Sequence, residues 1–282
     1  MRKILCLVFY AALAMPGTSW SNSAPIWHPG TNATDVIPIK NHHIRMIKET
    51  VDIDCHWTSY TVHVKFWYKN TADQEQELDM GFPIVRYGNE EPRDHVELEH
   101  SRSFSESSDS FQVQWNGKSL EHSLGPLQPI SLRISRQWFY WKVKFAPHEE
   151  ATSEVFYTFP CYTSSEGSHG EEPYIYLSYI LRTGAAWAGL IESSTVTVNY
   201  NHVLPDIGSY RKNKNAPADS NSLPSLHNLT MYPPDYVVDE EKRVVKWEFK
   251  NFVPDKNIYF GWGEVPNFED RDEMETVEIK ED

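Results

Sequence analysis

Cysteine is scarce in this 282-residue chain, with three in all, and the first, Cys6, lies inside an apolar N-terminal run. Cys55 and Cys161 are left beyond that run, and neither stands in a nucleophile motif. A thiol enzyme is therefore not the expectation; two cysteines in an exported chain suggest one disulfide, Cys55 to Cys161. Basic residues are in deficit as well, 26 Lys and Arg against 40 Asp and Glu, for a net charge of −14. Nucleic acid is excluded as an expected partner, because binding its backbone needs a concentrated positive surface. Long apolar runs are missing too. The longest, "ILCLVFYAALAM" at residues 4–15, falls short of the roughly 20 residues that cross a bilayer as a helix, so no transmembrane span is expected. Neither an amphipathic helical stretch of ordinary length nor an internal repeat is present.

The N-terminus has secretory order: Arg2 and Lys3, the apolar run, then Pro16, Gly17 and small or polar residues. This predicts a signal peptide over residues 1–21, cleaved between Ser21 and Pro25, and an exported chain in the periplasm or outside the cell. Losing Arg2 and Lys3 makes the mature chain more acidic still.

Strand signals fill the rest. In "YTVHVKFWYKN" Tyr60, Val62, Val64, Phe66 and Tyr68 share one face, and Thr61, His63, Lys65, Trp67 and Lys69 the other, which is the period of two of a half-buried strand. Ahead of it, Ile44 and Met46 and then Val51, Ile53 and Cys55 read as a second strand or one long bulged strand. Asn116-Gly117 in "FQVQWNGKSLEH" predicts a tight hairpin. "SLGPLQPIS", residues 123–131, holds two prolines and a glycine and predicts a boundary between an N-terminal β subdomain, 26–124, and a C-terminal one, 125–263. Residues 201–235 read as an irregular excursion, and 264–282 as an acidic tail. Many short strands with 10 Trp, 15 Tyr and 13 Phe predict an all-β fold, a β-sandwich of two packed antiparallel subdomains.

The stretch "YILRTGAAWAGLIESSTVTVNY", residues 179–200, breaks an alternating pattern at "TGAAWAG". Thr183, Gly184, Trp187 and Gly189 are expected to form a structural corner, with small residues letting the chain run close to the sheet while Trp187 plugs the end of the sandwich. Neither a base nor a P-loop lysine is adjacent.

The order of "VHVKFWYKNTADQEQELDMGFP", "FQVQWNGKSL", "WKVKFAPHEEATSEVFYTF", "YILRTGAAWAG" and "WEFKNFVPDKNIYFGW" resembles exported bacterial all-β proteins grouped as a domain of unknown function. The resemblance runs from Ile44 to about Trp262. It implies a β-sandwich and a cell-envelope or exported setting, and it brings no catalytic residues.

Candidate sites are few. None of the 12 histidines is two, three or four residues from another, the spacings that put two ligands on one face of a strand or helix, so no metal and no cofactor are expected. "CYTSSEGSHGEEP" gathers Glu166, His169, Glu171 and Glu172, which a hydrolase could use only if the fold assembles them; the chain has no GxSxG and no HExxH. In "RQWFYWKVK" Phe139, Trp141, Val143 and Phe145 take the core face. Arg136, Trp138, Tyr140 and Lys142 take the other, where rings beside cations suit a sugar or a partner chain. The expectation is thus a non-catalytic envelope protein that binds or organises an envelope protein or glycan, with a glycan-binding module and a hydrolase as the alternatives.

Overall fold

The computed structural model describes residues 18–21, 23–27, 37–56, 59–87, 110–131, 134–163, 175–203, 229–262, 268–269 and 279–280. The Glu166 to Glu172 cluster, most of the excursion and most of the acidic tail lie outside them.

The described residues are almost entirely β, in two packed sheets. In chain order the strands are β1 (Thr18–Ser21), β2 (Ala24–Trp27), β3 (Ile37–Pro38), β4 (Ile44–Cys55), β5 (Ser59–Asn70), β6 (Gln76–Tyr87), β7 (Gln112–Trp115), β8 (Lys118–Leu120), β9 (Ser123–Leu124) and β10 (Gln128–Ser131). They continue as β11 (Ile134–Phe145), β12 (Glu150–Pro160), β13 (Tyr162–Thr163), β14 (Ile175–Ile180), β15 (Ile191–Asn199), β16 (Leu229–Tyr232), β17 (Tyr236–Asp239), β18 (Val244–Phe252) and β19 (Ile258–Trp262). One sheet runs β17-β18-β15-β4-β5-β12-β7-β8, and the facing one β10-β11-β6-β1-β14-β19-β16 with short strands at its margins.

Both sheets take strands from either side of residue 124, and one continuous core lies between them. Among the described residues the chain therefore does not divide there into two separate sandwiches. The proline-rich stretch runs along one edge of β11, with which β9 and β10 each pair. The physical reason is the 12-residue ladder between β6 and β11, which joins the two halves through backbone hydrogen bonds.

The alternation of β5 sets the inner face. Tyr60, Val62, Val64, Phe66 and Tyr68 are all buried, and β4 and β12 flank β5 along its length. In β4 the register shifts between Met46 and Lys48. This bulge switches the inward positions from Ile44 and Met46 to Glu49, Val51, Ile53 and Cys55. At the hairpin Asn116 and Gly117 take φ of 49° and 74°, the left-handed values such a turn requires. Asn70, fully buried at the end of β5, donates from Nδ2 to the carbonyls of Gln74 and Ala146 and accepts from the Ala72 amide.

The corner at residues 182–189 begins as a 3₁₀ turn, Arg182–Ala186, that buries Thr183, Gly184 and Ala186. It docks on the start of β4: the Asn41 amide donates to the Ala186 carbonyl, and the Ala188 amide to that of Ile44. Gly189 has φ +67°, which a residue with a side chain would take only under strain. Trp187 is 1% exposed, its ring 4.8 Å from that of Tyr68 and its Nε1 donating to the Ser23 carbonyl at 2.9 Å. Trp187→Ala removes both the ring and that bond, and is expected to cost about 3 to 5 kcal/mol, read as a lowered urea midpoint; an unchanged midpoint would place the indole outside the core.

Candidate functional site

Strand β4 divides two sets of polar groups, because Lys48 and Glu49 follow the bulge and point to opposite faces. Glu49 goes inward and is fully buried. Its neighbours in register are Phe66 on β5 and Ser194 on β15, which pairs with β4 in parallel. Ser194 Oγ donates to Oε2, and Tyr179 Oη, from β14 in the facing sheet, donates to Oε1, each at 2.7 Å. Burial pushes the Glu49 carboxyl up to about 7, although the two hydroxyls favour its charged form and partly offset that rise. The phenols of Tyr68, Tyr157 and Tyr179 are pushed well up, first by burial and also by the nearby Glu49 charge. Tyr68 Oη shares a hydrogen bond with Ser23 Oγ. In this buried cluster Glu49 keeps its proton up to about pH 7. The sequence carried a signal for it: counting back by two from Val51 puts Glu49 on the inward face.

Lys48 goes outward. Its Nζ lies 4.7 Å from the Trp67 ring centroid, with Lys65 Nζ at 5.5 Å, both in range for cation–π attraction. Ile47, Lys48, Trp67, Asn116, Glu150 and Thr152 line an open groove of about 310 Å³. Next to it Glu154 accepts from Lys65 at 2.8 Å and lies 3.0 Å from His63 Nε2. These bonds, that of Lys65 above all, hold its carboxyl below the usual range. Lys69 pairs with Glu150 at 2.9 Å. The alternation of β5 had placed Trp67 outward without marking it as a site, because its partners come from β4, β12 and the β7–β8 turn.

The face of β11 differs from expectation. Phe139, Trp141, Val143 and Phe145 are buried in the core, but Trp138, expected to face solvent, is 0% exposed. Its ring lies over Gly81 beside Ile26: a Cβ on Gly81 would come within 2.8 Å of Trp138 Cε3 and 2.6 Å of Ile26 Cγ2. The N-terminal strand β2, paired with β6 at Gly81, covers this face. Arg136 and Tyr140 are half-buried. Lys142 is exposed and lies 3.5 Å from Glu77 and 3.6 Å from Asp79. The four do not form an open aromatic platform.

The expected disulfide is not formed. Cys55 and Cys161 are buried free thiols, with Cys161 Sγ 3.8 Å from the His56 carbonyl. Burial pushes both thiols up, and the nearby Cys161 adds to the rise at Cys55, which favours their protonated forms. His56 and His202 stack at 4.9 Å, and among the described residues no three His, Cys, Asp or Glu side chains could hold a metal ion. No helix among them is long and apolar enough to cross a membrane.

No protein-family model matches the chain, and no curated protein matches it in sequence. Among solved structures it is similar to a candidate nutrient-binding protein from Legionella pneumophila, with TM-score 0.53, 18% identity, and coverage of 88% of this chain and 72% of that one. This likeness supports the fold. An M1 zinc metallopeptidase from Deinococcus radiodurans matches 80% of this chain and 43% of its own at TM-score 0.31 and 10% identity, too distant to carry an argument.

The buried carboxyl gives a pH dependence of known sign. Its folded value of about 7 lies above the ordinary 4.5, so its contribution to stability is full below pH 4.5 and is lost as pH rises through 7. Glu49→Gln, which carries no charge, is expected to match the wild type at pH 4 and to exceed it by about 3 kcal/mol above pH 7. Urea unfolding of both proteins across that range checks this; a constant difference would mean that Glu49 does not titrate there.

Proposed function

We propose that this chain is an exported, non-catalytic binding protein of the cell envelope, holding a glycan in the groove at Trp67. The observation that carries the reading is the groove itself. It brings the Trp67 indole, with the Lys48 ammonium over its ring, beside an amide, a hydroxyl and a carboxylate from Asn116, Thr152 and Glu150. Ligand sites commonly combine an apolar or aromatic wall with a few placed polar groups, and a sugar ring offers an apolar face with hydroxyls at its rim. The secretory order of the N-terminus supports the envelope setting, and the fold shared with the candidate nutrient-binding protein agrees with a binding role.

The groove replaces the β11 face as the expected glycan surface, since Trp138 is covered. Trp67→Ala is expected to weaken binding of the purified protein to solubilised envelope polysaccharide by at least about tenfold in calorimetry, while stability stays within about 1 kcal/mol. Binding that survives the substitution would remove the groove from the reading.

A further inference from the structure

The outer faces of β4 and β5 carry the cations Arg45, Lys48, Lys65 and Lys69, and all but one are matched to a glutamate. Arg45 lies 3.2 Å from Glu192, Lys65 2.8 Å from Glu154 and Lys69 2.9 Å from Glu150. Lys48 has no carboxylate within ion-pair distance among the described residues, and its Nζ rests 4.7 Å from the Trp67 ring centroid instead. Glu150, on the wall of the groove, is already taken by Lys69. Glu149, outside the lining, accepts from the Ala146 amide at 2.6 Å and from Asn116 Nδ2 at 3.4 Å. An acidic chain, with a net charge of −14, thus keeps in this groove an ammonium that no neighbouring carboxylate balances.

An exposed ammonium over an indole is held weakly, and while it lies there it covers part of the ring. A neutral sugar offers an ammonium only hydroxyls, which water supplies as well, so it must compete with Lys48 for the indole. An anionic group reverses that competition. A charge-assisted hydrogen bond is the stronger attachment and the lysine stem is flexible, so the ammonium swings to the anion and the ring face is released to the sugar. The backbone favours a glycan over an acidic peptide. β5 is paired with β4 and β12 along its length, and the amides of Asn116 and Thr152 are bonded to each other's residue. The floor of the groove therefore has no strand edge to which a peptide main chain could add, and the ligand is held by side chains.

Resting on the glycan reading of this groove, we propose that the glycan it takes is anionic, bearing a carboxylate or a phosphate, and that Lys48 selects it by leaving the Trp67 ring to meet that charge. Trp67 then supplies the stacking surface and Lys48 the discrimination between acidic and neutral sugars.

The test is calorimetry of the purified protein with solubilised envelope polysaccharide in four forms: untreated, carboxyl-reduced, dephosphorylated, and stripped of both groups. The wild type is expected to bind the untreated polymer at least about tenfold more tightly than the doubly stripped one, and the singly treated forms show which anion supplies the charge. Lys48→Met is expected to lose that preference, whereas Lys48→Arg, which keeps the charge, is expected to retain it. Equal binding of the untreated and doubly stripped polymers by the wild type, or a preference that persists in Lys48→Met, would overturn selection by Lys48 and leave the glycan reading standing. Failure of every form to bind would overturn both. Poly-glutamate bound as tightly as the untreated polysaccharide would put an acidic peptide in place of the glycan and overturn the inference on that ground.

Discussion

The Tyr68 ring brings together parts of the chain far apart in sequence. It packs 4.8 Å from Trp187 of the corner, 6.1 Å from Trp115 of the hairpin and 6.1 Å from Phe145 at the end of β11, while its hydroxyl meets Ser23 of the N-terminal segment. Each contact is modest, in the range of about 0.5 to 1.5 kcal/mol beyond area burial for an aromatic pair. They matter together because side-chain packing holds most of the contact between the two sheets. Tyr68 takes its place from the alternation of β5, so the period of that strand governs how the corner, the hairpin and the N-terminus meet.

The bulge in β4 follows from the same geometry. If β4 ran on through Ile47 with no register shift, it would continue the parity of Ile44 and Met46, and Lys48 would point into the core while Glu49 faced water. With it, the ammonium reaches Trp67 outside and the carboxyl meets Tyr179 and Ser194 inside. The register shift thus sets both the outer groove and the buried acid. Burying an acid is costly when it is charged, and the rise of Glu49 to about 7 is how the fold limits that cost.

Much of the fold was legible in the sequence because alternation is a local signal. The faces of β5, the core side of β11 and the Asn116-Gly117 turn all follow from residues within a strand's length of one another. What was hidden depends on partners distant in the chain. Trp138 and Tyr140 have the same parity, yet Trp138 is covered because β2, more than 100 residues earlier, lies across β6 beside it. Trp67 became a candidate only when β4, β12 and the hairpin were placed around it. The boundary at residues 123–131 misled for a related reason: proline and glycine mark where the chain turns, but not whether the next strand returns to the same sheet.

The parallel pairing of β4 with β15 has a consequence for the order of assembly. A chain is made from its N-terminus, and β4 is complete at Cys55, but its neighbour on one side begins only at Ile191. Until then that edge of β4 has no strand beside it, and Glu49 lacks Ser194. Such distant pairing is slow to form, since a long loop must close before any contact repays its entropy. The first half of the chain therefore waits, with a bare strand edge, for the second half to emerge, and this interval is when a chaperone would have the most to protect.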